Sequence, residues 1–408
     1  MSCEGETSKL NWRRSDSTVR RLCMLMVTHA CNLNCTYCYE AFKSDRKMSL
    51  PLAKRIIEKE AGIVRNSPLY RELEIDFMGG EPLVNFQLIR EVVEWLEGNP
   101  LDVPVICFAS TNGTLLDEER QDWFSKHRDM IWLSLSYDGD ERMQNGNRGT
   151  GGYAIDLDFF QRNWPLQGVQ MTISKETLPR MAEGVLQLQR RGMPVTVSLA
   201  QGVNWSRKDA LVYQRELQRL ADAYMADPDL KPCSRLMRMV WTESPCDSSE
   251  QSKFCGSGVH MRTYDVDGRE YGCHLFTPVV LGSRALELSS LDLNCKAAYS
   301  DARCRDCILR NFCGTCAGFN FLYRGSPATR DFSFCLMELA EAKVSCNFQV
   351  KLMVSRLSRL GALDAQYAKA AIKAHEQLRR FSVERDDGPF VIEADTLNDS
   401  TRRTGEGR

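Results

Sequence analysis

The stretch Cys31-Asn-Leu-Asn-Cys35-Thr-Tyr-Cys38 places three cysteines within eight residues. Three thiolates can bind three irons of a [4Fe–4S] cluster and leave the fourth iron without a protein ligand. A cluster that only carries electrons is normally closed by four cysteines, whereas an open iron can bind and reduce a small molecule. About forty residues further on stands Met78-Gly79-Gly80-Glu81-Pro82-Leu83. The three-cysteine motif therefore predicts a cluster that takes part in chemistry.

Around these motifs, from about residue 20 to 225, β-rich runs alternate with segments of helical periodicity. Six strand–helix units in this order predict a parallel sheet covered by helices. The predicted strands are 22–27, 73–77, 105–109, 131–136, 169–173 and 195–199, and the predicted helices include 51–64, 86–96, 181–190 and 209–225. Polar groups follow the first four strands, and ligands collect at the carboxyl ends of strands in such folds. We therefore expect one shared site at that edge.

Composition and charge argue against several classes of protein. The chain has 408 residues, 43% of them hydrophobic, and a net charge of −1, so nothing in its charge points to nucleic acid or an anionic membrane. The first twenty residues are polar and lack the apolar core of a signal peptide, and no apolar run approaches the roughly 20 residues of a membrane-spanning helix. We expect a cytoplasmic protein in which the seventeen cysteines serve as metal ligands rather than disulfides.

The cysteine motif, with Tyr37 before its last cysteine, and the Gly-Gly-Glu-Pro stretch resemble the radical S-adenosylmethionine (SAM) superfamily. The resemblance implies an α/β fold, a partial (β/α)6 TIM-like barrel, and reductive cleavage of SAM to a 5′-deoxyadenosyl radical. Cys31, Cys35 and Cys38 would bind the SAM-cleaving cluster. The residues that would bind SAM are Tyr37 at the adenine, Gly79, Gly80 and Glu81 at the methionine ammonium, Asn112 and Ser136 at the ribose or carboxylate, and Arg148 at the carboxylate.

Simpler roles stay open for several of these residues. The two glycines could form a plain turn at the end of a strand, and Tyr37 could pack beside the cluster. Asn112 could be a turn residue before Gly113, and Arg148 a solvated loop charge.

A second set of cysteines lies in the distal half, where it resembles the seven-cysteine SPASM extension of some radical SAM enzymes. The set reads Cys255, Cys273, Cys304-x2-Cys307-x5-Cys313-x2-Cys316 and Cys335, with Gly268 before Cys273 and the last CxxC one residue shorter than usual. The resemblance implies two auxiliary [4Fe–4S] clusters, and so three clusters in all. Cys304, Cys307, Cys313 and Cys335 would close one of them, and Cys255, Cys273 and Cys316 would hold the other.

Two questions about this set remain open. Met261 stands where some relatives supply a fourth ligand, so the Cys255 cluster would keep an open iron unless Cys246 or His274 filled it. In addition, the spacing of Cys304, Cys307, Cys313 and Cys316 would, taken alone, suit a tetrahedral zinc site. His274 could tune a cluster through a hydrogen bond, or it could be a structural histidine.

The resemblance implies an enzyme that oxidatively modifies a ribosomally made peptide, with an intrapeptide carbon–carbon or thioether cross-link as the expected product. The alternatives are formylglycine generation in sulfatases and a non-catalytic iron–sulfur or zinc scaffold. At the position of His274, sulfatase maturases usually carry an Asp, which weakens the first alternative. The expected partners are a precursor peptide, an electron donor such as flavodoxin or ferredoxin, and a separate leader-binding protein, because about twenty residues precede the first strand.

These observations divide the chain into five parts. They are a polar segment (1–19), the partial barrel (20–230), the auxiliary-cluster domain (240–346), a C-terminal helical segment (347–385) and a disordered tail (386–408).

Overall fold

The computed structural model describes residues 20–149, 155–238, 255–288, 291–295, 298–355, 362–384 and 390. The expected N-terminal segment, all of the expected C-terminal tail except Phe390, and Cys246 lie outside these residues. None of the helices in the described ranges has the length and apolar character needed to cross a bilayer.

Strands and helices alternate through the first part of the chain. The strands are β1 (Arg20–Thr28), β2 (Glu72–Gly79), β3 (Val105–Thr111), β4 (Ile131–Leu135), β5 (Val169–Ile173), β6 (Val195–Leu199), β7 (Met261–Tyr264) and β8 (Glu270–Tyr271). The helices are α1 (Leu50–Asn66), α2 (Phe86–Gly98), α3 (Glu118–Lys126), α4 (Glu141–Arg148), α5 (Leu157–Asn163), α6 (Met181–Arg190), α7 (Arg207–Ala226), α8 (Ser234–Met237), α9 (Pro278–Leu281), α10 (Ala317–Arg324), α11 (Cys335–Val354) and α12 (Ala362–Leu378).

The first six strands form a parallel arc in chain order. Strands β1 to β4 pair in parallel, and β5 pairs in parallel with β6. A parallel bridge between Ser136 and Gln170, with a hydrogen bond of 3.0 Å from Tyr137 N to Gln170 O, joins the two sets. The predicted α/β fold with a parallel sheet is confirmed, and all four carboxyl ends of β1 to β4 open on one edge.

A strand from the cysteine-rich region extends this sheet, which was not predicted. The β7 strand pairs in parallel with β1, starting with Leu22 opposite Met261. A barrel that does not close leaves the outer edge of β1 with unpaired backbone groups, and β7 satisfies them. The seam also carries a buried polar link, because the Glu60 carboxylate binds both Arg21 (2.5 Å) and the Tyr264 hydroxyl.

The C-terminal helical region begins with helix α11, close to residue 336, where helical periodicity returns in the sequence. Helix α11 starts at Cys335, so the expected boundary at residue 346 falls inside one helix. Thirteen of its twenty residues are buried, since it packs against α7, α8 and α12. A helix covered on most sides lacks the one-sided apolar stripe that marks a surface helix.

Candidate active site

The cysteine loop follows β1 and faces the carboxyl ends of β2, β3 and β4. A cavity of about 270 Å³, called here the first cavity, lies between them. Every residue predicted to bind the first cluster or SAM lines it, namely Cys31, Cys35, Cys38, Tyr37, Gly79, Gly80, Glu81, Asn112, Ser136 and Arg148. The topology therefore brings together residues that are spread over more than a hundred positions in the sequence.

The two glycines are explained by the close approach of β2 to the cysteine loop. A Cβ atom on Gly79 would lie 2.5 Å from the backbone oxygen of Thr28, which is too short for any contact. On Gly80, it would lie 2.6 Å from the oxygen of Ala30 and 2.7 Å from Cβ of Cys31. Only glycine permits this approach, so both residues hold the loop against the sheet.

Glu81 ties two strand ends together from a buried position. Its carboxylate accepts hydrogen bonds from Thr111 Oγ1 (2.8 Å), from the backbone N of Asn112 (2.8 Å) and from that of Leu83 (3.1 Å). Burial raises the pKa of Glu81, while these donors act in the opposite direction. The carboxylate both lines the cavity and fixes the shape of its wall.

Asp138 is a central residue of the site that the sequence analysis did not single out. It is fully buried and binds Arg148 through both oxygens, with Nε and Nη2 at 3.0 and 3.1 Å. The same carboxylate accepts a hydrogen bond from the Tyr37 hydroxyl (2.5 Å). The Arg148 guanidinium in turn stacks on the Tyr37 ring. Burial lowers the pKa of Arg148, but Asp138 and Tyr37 outweigh it and raise that pKa. Arg148 is thus no solvated loop charge.

Asn112 and Ser136 stand at the same rim. The Asn112 side-chain oxygen accepts the backbone N of Thr114 (3.0 Å), and its amide nitrogen donates to Asn32 (3.0 Å). This is a turn role, and Gly113 follows with a positive φ of 78°. Ser136 lies beside it, because its backbone N donates to the Thr111 carbonyl (2.8 Å).

Two charged residues just after the cysteine motif also line the first cavity and were missed. Lys43 donates to the Leu33 carbonyl (3.1 Å), and its pKa is raised because the Cys38 and Cys31 thiols outweigh the effect of burial. Burial raises the pKa of Glu40 to about 7. The sequence signal that could have identified these two residues is their position directly after the cysteine motif.

A second cavity, of about 320 Å³, adjoins the first and shares Tyr37, Tyr39 and Thr172 with it. Its other walls are the ends of β5 and β6 on one side and the segment from Gly314 to Asn320 on the other, including Cys316. A molecule in this cavity would touch both the barrel and the cysteine-rich region.

The distal cysteines fall into two groups. Cys304, Cys307, Cys313 and Cys335 line a third cavity, of about 450 Å³. The Cys316 thiol instead interacts electrostatically with those of Cys273 and Cys255, and burial raises its pKa to about 11. His274 places Nδ1 3.8 Å from the Cys273 sulfur, and Met261 is buried in β7.

The thiols that line the third cavity and those that line the first cavity suit two different kinds of iron–sulfur cluster. Four thiols around one cavity fit a closed [4Fe–4S] cluster, and the three thiols of the cysteine loop, opening on the first cavity, fit a cluster with an open iron. In the described ranges, no group of three or more His, Cys, Asp or Glu side chains is arranged to hold a single metal ion, and the four cysteines of the zinc alternative lie within those ranges.

Comparisons with known proteins agree with this geometry. A family model for a 4Fe-4S single cluster domain matches residues 19–150. An uncharacterised protein of Methanocaldococcus jannaschii is 30% identical over 168 residues, which is 40% of this chain and 56% of that protein. The radical SAM cyclopropyl synthase TigE of Paramaledivibacter caminithermalis is 26% identical over 34% of this chain and 31% of its own. A cysteine-type anaerobic sulfatase-maturating enzyme of Clostridium perfringens is 28% identical over 29% and 32%.

The chain thus spans from 31% to 56% of the length of these curated relatives. Solved structures share the fold over a longer stretch. Native anSMEcpe with bound AdoMet has a TM-score of 0.59 at 14% identity and covers 83% of this chain and 100% of that one. Streptococcus suis SuiB bound to the precursor peptide SuiA has a TM-score of 0.52 at 15% identity, covering 78% and 76%. The resemblance of this chain to radical SAM enzymes with a SPASM extension, first seen in its cysteine motifs, is confirmed.

Proposed function

We propose that this protein cleaves SAM reductively and uses the resulting radical to modify a ribosomally synthesised peptide. The observation that carries the proposal is that two cavities lie side by side and share lining residues. The first contains every residue predicted to bind the SAM-cleaving cluster and SAM, and the second shares Tyr37, Tyr39 and Thr172 with it. A substrate in the second cavity would therefore lie next to the cofactor in the first.

Cys31, Cys35 and Cys38 would hold the SAM-binding cluster, and the distal cysteines would hold two auxiliary clusters. When bound, these cofactors supply a reducing electron, the 5′-deoxyadenosyl radical that abstracts a hydrogen atom, and acceptors for the electron that the oxidised product loses. The protein supplies position and exclusion of water. Asp138 would orient the Arg148 guanidinium for the carboxylate of SAM, since a guanidinium fork held by one carboxylate cannot rotate freely.

Glu81 would bind the methionine ammonium in addition to its contacts with the strand ends. Tyr37 would contact the adenine while its hydroxyl stays on Asp138. Asn112 and Ser136 would reach SAM from the rim. His274, close to the Cys273 sulfur, would tune the neighbouring cluster.

We favour a cross-link within the peptide, either carbon–carbon or thioether, as the product. TigE is named a cyclopropyl synthase, and SuiB was solved with a precursor peptide bound. The second candidate is formylglycine generation, favoured by the relation to the sulfatase-maturating enzyme of Clostridium perfringens. An electron donor such as flavodoxin or ferredoxin, a separate leader-binding protein and a cytoplasmic location belong to the same proposal.

The test is iron content and SAM cleavage after anaerobic reconstitution of the full chain. Wild type should bind about twelve irons, and Cys31→Ala/Cys35→Ala/Cys38→Ala about eight, as [4Fe–4S] stoichiometry requires. With dithionite and SAM, only the wild type should yield 5′-deoxyadenosine. Cys107→Ala is the matched control, because Cys107 is fully buried in β3 away from the three cavities and should leave both readouts unchanged.

Two outcomes would contradict the proposal. If the fully loaded wild type yields no 5′-deoxyadenosine, the enzymatic function is wrong. If the wild type holds about four irons together with zinc, the distal cysteines are structural and the auxiliary clusters do not exist.

A further inference from the structure

Arg330 occupies the wall between the second and third cavities and lines both of them. Its Nη2 donates to the sulfur of Cys313 at 2.6 Å. The backbone N of Arg330 donates to Asp301 Oδ2 (3.0 Å), which anchors the residue beside the cysteines. A guanidinium is therefore held against one of the four thiols that line the third cavity.

The charge of Arg330 acts on the other thiols of this group as well. It interacts electrostatically with Cys304 and Cys335. Burial raises the pKa of Cys335 to about 12, and Arg330 is the strongest influence in the opposite direction. Burial lowers the pKa of Arg330, but the Cys313 thiol and Glu338 outweigh it and raise that pKa.

Arg330 is unusual because a sulfur, and not a carboxylate, is its side-chain partner. Across the described part of the chain, it makes no ion pair with Asp or Glu within 4.0 Å. Two acidic residues that interact with Arg330 form ion pairs with other arginines. Glu338 binds Arg238 (3.4 Å), and Asp301 binds Arg303 (2.7 Å). The direct side-chain contact of the Arg330 guanidinium is therefore with a thiol, although Glu338 also acts on its charge.

We propose that Arg330 raises the reduction potential of the cluster held by Cys304, Cys307, Cys313 and Cys335. This inference rests on the proposed function, because it requires that cluster. Reduction adds one electron and one negative charge to the cluster, and no bond forms or breaks. A nearby positive charge and an N–H donor on a ligand sulfur stabilise the more negative, reduced form.

The consequence concerns the direction of electron flow. The carbon radical of the peptide must lose one electron, and a proton to solvent, as the new bond forms. A higher potential makes the cluster a better acceptor for that electron. Arg330 is therefore a positioning residue for the oxidative half of the reaction, and it makes no contribution to SAM cleavage itself.

The test is a redox titration of the full chain, followed by the electron paramagnetic resonance signals of the reduced clusters. It is done in the Cys31→Ala/Cys35→Ala/Cys38→Ala background, which removes the signal of the first cluster. Arg330→Met removes both charge and donor, and Arg330→Gln removes the charge alone. Arg303→Gln is the control, because Arg303 also interacts with Cys304 and Cys335 but is 57% exposed.

We expect Arg330→Met to lower the equilibrium constant for reduction of one cluster at least tenfold, which is about 59 mV for one electron. Arg330→Gln should lower the same equilibrium constant by a smaller factor, and Arg303→Gln should change it less than threefold. If Arg330→Met keeps its iron and shifts the potential no more than Arg303→Gln does, the inference is wrong. If Arg330→Met loses iron, Arg330→Gln decides by the same comparison.

Failure of the proposed function has a different signature. A wild type that holds only about four irons has no such cluster, so the inference falls together with the auxiliary clusters of the proposed function, whereas SAM cleavage is judged separately by 5′-deoxyadenosine. A wild type with about twelve irons that cleaves SAM, whose potentials do not respond to Arg330, refutes the inference alone.

Discussion

Replacing Asp138 by Asn is the sharpest test of how the first cavity is built. Asp138 Oδ1 accepts from Arg148 Nη2 (3.1 Å) and the backbone N of Thr172 (2.8 Å). Its Oδ2 accepts from the Tyr37 hydroxyl (2.5 Å), Asn147 Nδ2 (3.1 Å) and Arg148 Nε (3.0 Å). An Asn amide would point N–H groups at two or three donors, whichever way it was flipped. No orientation of the isosteric side chain avoids this.

The magnitude follows from burial. Asp138 is fully buried and the Arg148 side chain is 8% exposed, so the ion pair is screened very little by water. Breaking one partner of a buried pair typically costs about 3 to 5 kcal/mol, because the other charge stays buried and uncompensated. We expect Asp138→Asn to fall in this range. Asp122→Asn, which breaks an exposed pair with Lys126, should stay within about 0.5 kcal/mol of wild type.

The assay is anaerobic urea unfolding of the reconstituted protein, with SAM affinity measured on the folded fraction. A double-mutant cycle with Arg148→Met isolates the pair, and the coupling energy should exceed about 2 kcal/mol for directly contacting buried groups. If Asp138→Asn destabilises no more than Asp122→Asn, the buried network does not exist as described. If stability falls but SAM affinity is unchanged, Arg148 does not bind the carboxylate of SAM.

Two further predictions concern other contacts of the fold. Gly80→Ala should destabilise the protein by about 1 to 3 kcal/mol and lower iron retention at the cysteine loop, because the new Cβ meets the Ala30 backbone. The control is Gly62→Ala in α1, where a Cβ meets nothing within 4 Å. This variant should stabilise the protein by about 0.5 to 1 kcal/mol. Equal unfolding midpoints for the two variants would contradict this. Glu341→Gln should cost about 3 to 5 kcal/mol in urea unfolding, because its buried carboxylate binds Arg235 and Arg238, and a loss below 1 kcal/mol would show that this network is weak.

The six barrel strands could be predicted from the sequence to within two residues of their observed ends. They are buried runs that end in turn residues, so a local pattern was enough. The same holds for the motif residues that line the first cavity. Most of them follow a strand end, and the carboxyl ends of parallel strands meet at one edge, whereas Arg148 reaches the cavity from the end of α4.

The role of Asp138 and the strand β7 could not be predicted from the local sequence pattern. The role of Asp138 depends on its hydrogen bonds with Tyr37, about a hundred residues earlier, and with Arg148, and only the fold brings these residues together. Strand β7 has four residues, too few to show the alternation that identifies a strand, and it forms because β1 offers an open edge. Arg330 was missed for the same reason as Asp138, because its partner, Cys313, is seventeen positions away in the sequence.

The position of the cysteine-rich region relative to the barrel follows from two separate attachments. On one side, β7 adds to β1 and Glu60 binds across the seam. On the other, Glu341 of α11 binds Arg235 and Arg238, and Arg235 in turn donates to the carbonyl of Val197 in β6 (2.8 Å). The attachments lie at opposite ends of the strand arc, and each contains a buried polar link between the two parts of the chain. Packing, and not a linker, therefore sets the distance between the cysteine loop and Cys316, which is the distance that the proposed reaction would have to bridge.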